Sequence, residues 1–192
     1  MARLSGLYPR GPIDLGARVQ PLPNDGSVPA MPGWRWIHTP GHSPGHVSLF
    51  RDDDRTLIAG DAVVTTKQES ALAALTYAPE LHGPPAYFTP DWSAARMSVE
   101  RLAALEPERL ATGHGPILQG AEMRRGLSEL AREFDHRAVP PRGRYVHQPA
   151  LADQSGVTWV PPSVPDPLPR ALVGIAAGVL VAAALRRGMR RN

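Results

Sequence analysis

The sequence predicts a layered α/β domain in which helices cover a sheet. Three observations point there. Strand-length apolar runs bounded by turn residues lie between residues 34 and 59, two helical periodicities follow residue 89, and a further strand-length run separates those helices. In order along the chain, residues 1–33 are rich in Gly and Pro, with turn signals at Pro23-Asn24-Asp25-Gly26 and Pro32-Gly33. The first fourteen residues scatter Leu4, Leu7 and Ile13 among Gly, Pro and Arg, so they lack the apolar core of a signal peptide and read as the interior of a domain. Residues 34–38 are short and aromatic, residues 46–50 alternate, and residues 55–59 form an apolar run after the acidic turn Asp52-Asp53-Asp54.

Helical signals follow. Residues 68–75 predict a short helix. For the next helix Thr89 can cap, Pro90 suits the first helical position and Asp91 favours the positive end. Trp92, Ala95, Val99, Leu102 and Leu105 fall on one face of it, and Pro107 stops it. A strand over residues 109–112 leads into Gly113-His114-Gly115-Pro116. A third helix is predicted over residues 121–138, with Met123, Leu127, Leu130, Ala131 and Phe134 at helical spacing.

The character changes after Pro140. Residues 140–169 are proline-rich with few apolar clusters and read as an extended linker. Residues 171–185 carry no charge. At 1.5 Å per residue they span about 22 Å, short of a hydrocarbon core of roughly 30 Å. Arg170, Arg186 and Arg187 can snorkel and lengthen the segment. The stretch lacks a polar face and follows a linker, so it reads as a membrane anchor, with a helix packed on the domain as the competing reading. Gly174, Gly178 and Ala182 form a small-residue stripe that would let two copies approach as a homodimer. The arginines at 186, 187, 190 and 191 favour a cytoplasmic C-terminus. The expected domains are 1–139, 140–169 and 170–192, and the expected location is cytoplasmic or membrane-associated through residues 171–185.

Charge and composition narrow the chemistry. The net charge is +3, and the basic residues at the C-terminus cap an apolar segment instead of interleaving with aromatics, which argues against nucleic-acid binding. The absence of cysteine excludes disulfides and thiolate ligands, so any metal must rest on His and carboxylate.

Three segments place such groups in glycine-flanked turns after strands: Thr39-Pro40-Gly41-His42-Ser43-Pro44-Gly45-His46, Leu57-Ile58-Ala59-Gly60-Asp61 and Thr112-Gly113-His114-Gly115-Pro116. A lone His in a turn is usually a hydrogen-bonded surface residue, and a lone Asp after Gly is usually a turn former. Together, in this order, they resemble the pattern of the metallo-β-lactamase superfamily over roughly residues 30–138.

The resemblance implies an αββα sandwich, of which this sequence carries the C-terminal half, followed by the proline-rich linker and the apolar helix. It implies two divalent metals, zinc with iron or manganese as alternatives. His42 ligates one metal, His114 the other, and Asp61 bridges them; no catalytic residue is identified beyond these ligands. His46 is expected to support the turn or start the strand, not to bind metal. The implied reaction is attack by metal-activated water on a small-molecule ester, thioester, lactone, lactam or phosphodiester. Tyr77, His82, Tyr87, Phe88 and Trp92 either line the substrate pocket or pack between helix and sheet.

The family's His-x-His-x-Asp-His run does not occur in residues 1–38, where His38 is the only histidine. Each metal then keeps two of four protein ligands, and the inner face of the remaining strands becomes exposed apolar surface. A fragment or mis-started reading frame is the expectation, against assembly with another chain or a relative that no longer catalyses. The alternative class of function is a non-catalytic, membrane-associated binding domain on a degenerate hydrolase scaffold.

Overall fold

The computed structural model describes residues 15–66, 79–153 and 156–164. The helix expected over residues 68–75, Tyr77 and the apolar segment 171–185 with its small-residue stripe lie outside these residues. Among the described residues no helix is long and apolar enough to cross a membrane.

The main sheet has five strands: β1 (Trp34–His38), β2 (Val47–Arg51), β3 (Thr56–Ile58), β4 (Arg109–Ala111) and β5 (Leu118–Gln119), in that spatial order. Pairing is antiparallel for β1–β2 and β2–β3, parallel for β3–β4 and antiparallel for β4–β5. The parallel pair needs a crossover, and helix α1 (Trp92–Ala103) lies on it. Helix α2 (Gly120–Arg132) follows β5 directly, and a short helix α3 (Phe134–Arg137) follows that.

Side-chain alternation decides which face the helices cover. Ile37, Phe50, Leu57 and Leu110 point to one face and pack in a single core with Val99 and Leu102 of α1 and Leu127 and Leu130 of α2. Leu57, Leu102, Leu110 and Leu130 are fully buried. The opposite face carries Trp34, Trp36, Val47, Leu49 and Ile58, all half-buried. The loop before β1 reaches this face, where the indole N–H of Trp36 donates to the Pro23 carbonyl at 2.9 Å. That face, expected to be exposed apolar surface, is apolar but half-buried, because the chain's own loop partly covers it.

Several local expectations shift. Asp91, not Thr89, caps α1: its carboxylate accepts from the Ala94 amide at 2.9 Å, while the Thr89 hydroxyl donates to the Pro85 carbonyl at 2.8 Å. The reason is reach, because an N-cap oxygen must face the third helical amide. The helix expected over residues 121–138 divides at Glu133, whose φ of −111° and ψ of 21° leave the helical region. Both parts keep their apolar face on the core, with Phe134 against Trp92 at 6.2 Å between ring centroids.

Residues 140–161 are not wholly extended. Strands β6 (Leu151–Asp153) and β7 (Gly156–Trp159) form a separate antiparallel pair, and Tyr145 packs against the core. The Ala150 amide donates to the Pro90 carbonyl at 2.9 Å, tying this hairpin to the start of α1. The chain divides into two compact units at 161/162, so the hairpin belongs to the first unit.

Candidate functional site

The sheet topology gathers the three sequence-predicted residues. Strands β1, β3 and β4 run in the same direction, so their C-terminal ends share one edge of the sheet. His42 follows β1, Asp61 follows β3 and His114 follows β4. All three meet there. His42 Nε2 stands 3.3 Å from Asp61 Oδ2, and His114 Nε2 stands 3.6 Å from Asp61 Oδ1. The carboxylate thus offers one oxygen to each imidazole.

Backbone contacts hold the three turns together. The Thr39 amide donates to the His46 carbonyl at 2.9 Å, closing the loop that carries His42. The Gly113 amide donates to the Gly60 carbonyl at 2.9 Å, and the Thr65 amide to the His114 carbonyl at 3.0 Å. Two glycines permit this approach. Gly41 has φ of +136°, and a Cβ there would sit 2.4 Å from Ala95 Cα on α1. A Cβ on Gly113 would sit 2.1 Å from Asp61 Oδ1, so only glycine lets the two loops meet at that carboxylate.

His46 has its own place in this frame. Its Nε2 accepts from the Asp61 amide at 3.1 Å, which fixes the proton on Nδ1. Nδ1–H faces Thr39 Oγ1 at 2.9 Å and the Thr39 carbonyl at 3.1 Å. Thr39 Oγ1 lies 2.9 Å from Ser48 Oγ, and the Ser48 hydroxyl donates to the Ala59 carbonyl at 3.1 Å. The donors run one way, from the Asp61 amide through His46, Thr39 and Ser48 to Ala59. Both ends of the chain lie on the turn 59–61, so it clamps the backbone that aims Asp61. Thr39 and Ser48 are fully buried, where an unsatisfied hydroxyl is costly. Sequence reasoning placed His46 in a supporting role; Thr39 and Ser48 gave no signal beyond lying at strand ends.

Two polar atoms of the site lack partners. His42 Nδ1 and Asp61 Oδ1 are two of three side-chain atoms, among the described residues, that are buried without a hydrogen bond. Burial holds the His42 imidazole below the ordinary histidine range, assisted by His114 and opposed by Asp61. His42 is therefore neutral near pH 7, the form that can donate a lone pair to a metal.

The donor set fits a divalent cation in its chemistry, imidazole and carboxylate without thiolate. It also fits in spacing. Two ligands about 2.0–2.1 Å from a tetrahedral ion stand about 3.4 Å apart, between the two His–Asp distances of 3.3 and 3.6 Å. No three His, Asp or Glu side chains among the described residues surround a single point. The arrangement is a pair of two-residue half-sites that share Asp61.

A sequence model of the metallo-beta-lactamase superfamily matches residues 2–114, more than half of the chain and all three clustered residues. The chain belongs to the metallo-beta-lactamase superfamily. Within it, the chain is 57% identical over 134 residues to the probable metallo-hydrolase YflN of Bacillus subtilis (strain 168), covering 70% of this chain and 51% of that protein. It is 32% identical over 106 residues to the probable metallo-hydrolase YybB of the same organism, covering 55% of this chain and 42% of that one. The chain thus spans about half the length of the curated relatives it matches. Among solved structures, TTHA1623 in a di-iron-bound form is 30% identical, with a TM-score of 0.42, covering 68% of this chain and 53% of that one.

The aromatics fall in two places. Trp92 is buried in the core, and His82 is buried with its backbone paired to Val64. Tyr87 and Phe88 stand at the site: their rings meet edge to face at 4.7 Å, and the Phe88 ring meets that of His42 edge to face at 6.5 Å.

Proposed function

We propose that this chain contributes His42, Asp61 and His114 to a dinuclear metal centre of a metal-dependent hydrolase. The supporting observation is the carboxylate of Asp61, which turns one oxygen toward each imidazole while Oδ1 stays buried and without a hydrogen bond. A structural Asp in a turn would satisfy its oxygens from nearby amides, so a buried open oxygen points to a cation. Zinc suits the donor set, and iron or manganese suits it too.

When bound, the metals supply Lewis acidity for a carbonyl or phosphoryl group and an activated water. The chain's own residues place and hold them. His42, held neutral by burial, and His114 would each offer an imidazole nitrogen, Asp61 would offer one carboxylate oxygen beside each, and the His46–Thr39–Ser48 chain fixes the Asp61 backbone. Two residues per metal would leave room for the groups that complete each half-site and for substrate. The class of substrate is an ester, thioester, lactone, lactam or phosphodiester.

The test is metal-dependent turnover across a panel of those five bond types, with Asp61→Asn as the control. The assay runs on the chain alone and on the chain together with a polypeptide carrying a His-x-His-x-Asp-His run. Turnover that needs added metal and disappears in Asp61→Asn supports the proposal. Turnover unchanged by the substitution, or none in either format, overturns it.

A further inference from the structure

A shallow groove opens directly beside His42, on the side where Phe88 meets its ring. Its volume is about 260 Å³, and its walls come from the His42 loop, the segment before α1 and the β6–β7 hairpin. Pro44, Tyr87, Phe88, Tyr145, Val157 and Val160 supply most of that wall, and among the described residues no Asp, Glu, Lys or Arg lines it. Several of these side chains are left open to solvent: Phe88 is 58% exposed and Val157 is 61% exposed. Exposed apolar side chains that converge on one concave surface mark a binding site more often than isolated ones do.

We propose that this groove binds the apolar acyl or aryl group of an uncharged substrate, so that the carbonyl at its end lies against His42 and Asp61. This rests on the metal-hydrolase reading of those residues and narrows it to hydrophobic esters, thioesters or lactones. Two observations select this occupant. His42 is both a wall of the groove and a member of the candidate metal pair, so a group seated in the groove adjoins that pair. Among the described residues the wall holds no cation, which a phosphodiester or a carboxylate-bearing substrate would call for.

The position of the hairpin makes the groove. The bond from the Ala150 amide to the Pro90 carbonyl draws the hairpin to the start of α1, where Val157 joins Phe88 and Pro44 along the groove. The stretch that reads as linker in sequence thus supplies one wall of a substrate pocket.

The experiment uses the metal-free chain and two neutral, unhydrolysed amides, hexanamide and acetamide, followed by ¹H–¹⁵N NMR. Hexanamide is expected to move the amides of Ser43, Phe88 and Val157 saturably, while acetamide at the same concentration does not. Phe88→Ala and Val157→Asp change exposed side chains, and retained NMR dispersion reports that each folds. Each variant is expected to weaken hexanamide binding about fivefold, the effect of removing part of one apolar contact. Equal response to the two amides, or unchanged affinity in both variants, overturns the proposal. Metal uptake by the wild-type chain is measured separately, so a failure of the hydrolase reading is distinguishable from a failure of the groove.

Discussion

Replacing His46 by alanine separates a positioning role from a passive one. The change removes the acceptor for the Asp61 amide at 3.1 Å and the donor to Thr39 at 2.9–3.1 Å. Each such bond contributes about 1 kcal/mol net, and a partly buried donor left without a partner adds about 1 kcal/mol more. The expected loss of stability is therefore about 2–3 kcal/mol, read as a shift in urea midpoint at constant slope for the metal-free chain. The effect on metal is expected to be larger than stability alone explains. Outer partners of a ligand typically change metal affinity about 10–100-fold, and here the partner holds the backbone of the residue shared by both half-sites. His46→Gln keeps an oxygen able to accept from the Asp61 amide, so it should recover much of the affinity without recovering the bond to Thr39. Stability within about 0.5 kcal/mol of wild type in His46→Ala, together with unchanged metal affinity, would refute the clamp.

Acid should weaken the metal-free fold through the same loop. Burial holds both His42 and His46 below the ordinary histidine value of 6.5, so the unfolded chain binds more protons than the folded one as pH falls. Their contribution is complete above that value and is lost as the pH drops below it. Thermal midpoints are expected to fall between pH 7 and 5.5, with a smaller fall in His46→Gln; equal slopes in the two chains would contradict this. Gly113→Ala places a methyl 2.1 Å from Asp61 Oδ1 on an exposed turn. It should lower metal affinity at least about tenfold while leaving the thermal midpoint nearly unchanged, and normal metal uptake would count against the close approach.

Much of this architecture was legible in the sequence because its signals are local. The run from Thr39 to His46, the turn at Asp61 and the Gly113–His114 turn each combine a strand end with glycines, and the structure brings the three together. The α1 face was legible for the same reason: Trp92, Ala95, Val99 and Leu102 recur at helical spacing and are all buried. The cap was misplaced because Thr89, Pro90 and Asp91 are all credible at a helix start, and only geometry shows which oxygen reaches Ala94. The hairpin β6–β7 was illegible because its strands are short and exposed, with none of the alternation that burial imposes. Phe88 was singled out with its neighbouring aromatics, but its contact with His42 was illegible because the two lie far apart in the chain. The Thr39–Ser48 chain gave no warning because a buried hydroxyl looks in sequence like any other strand residue.

The central claim is that Asp61 joins two half-sites, and cobalt(II) followed by proton NMR tests it directly even when binding is weak. In the wild-type chain, the imidazole protons of both His42 and His114 are expected to shift or broaden as cobalt is added. Asp61→Ala should abolish both responses together, whereas His42→Ala should remove only its own and leave that of His114. Persistence of both responses in Asp61→Ala, or cobalt effects centred away from these residues, would contradict the account.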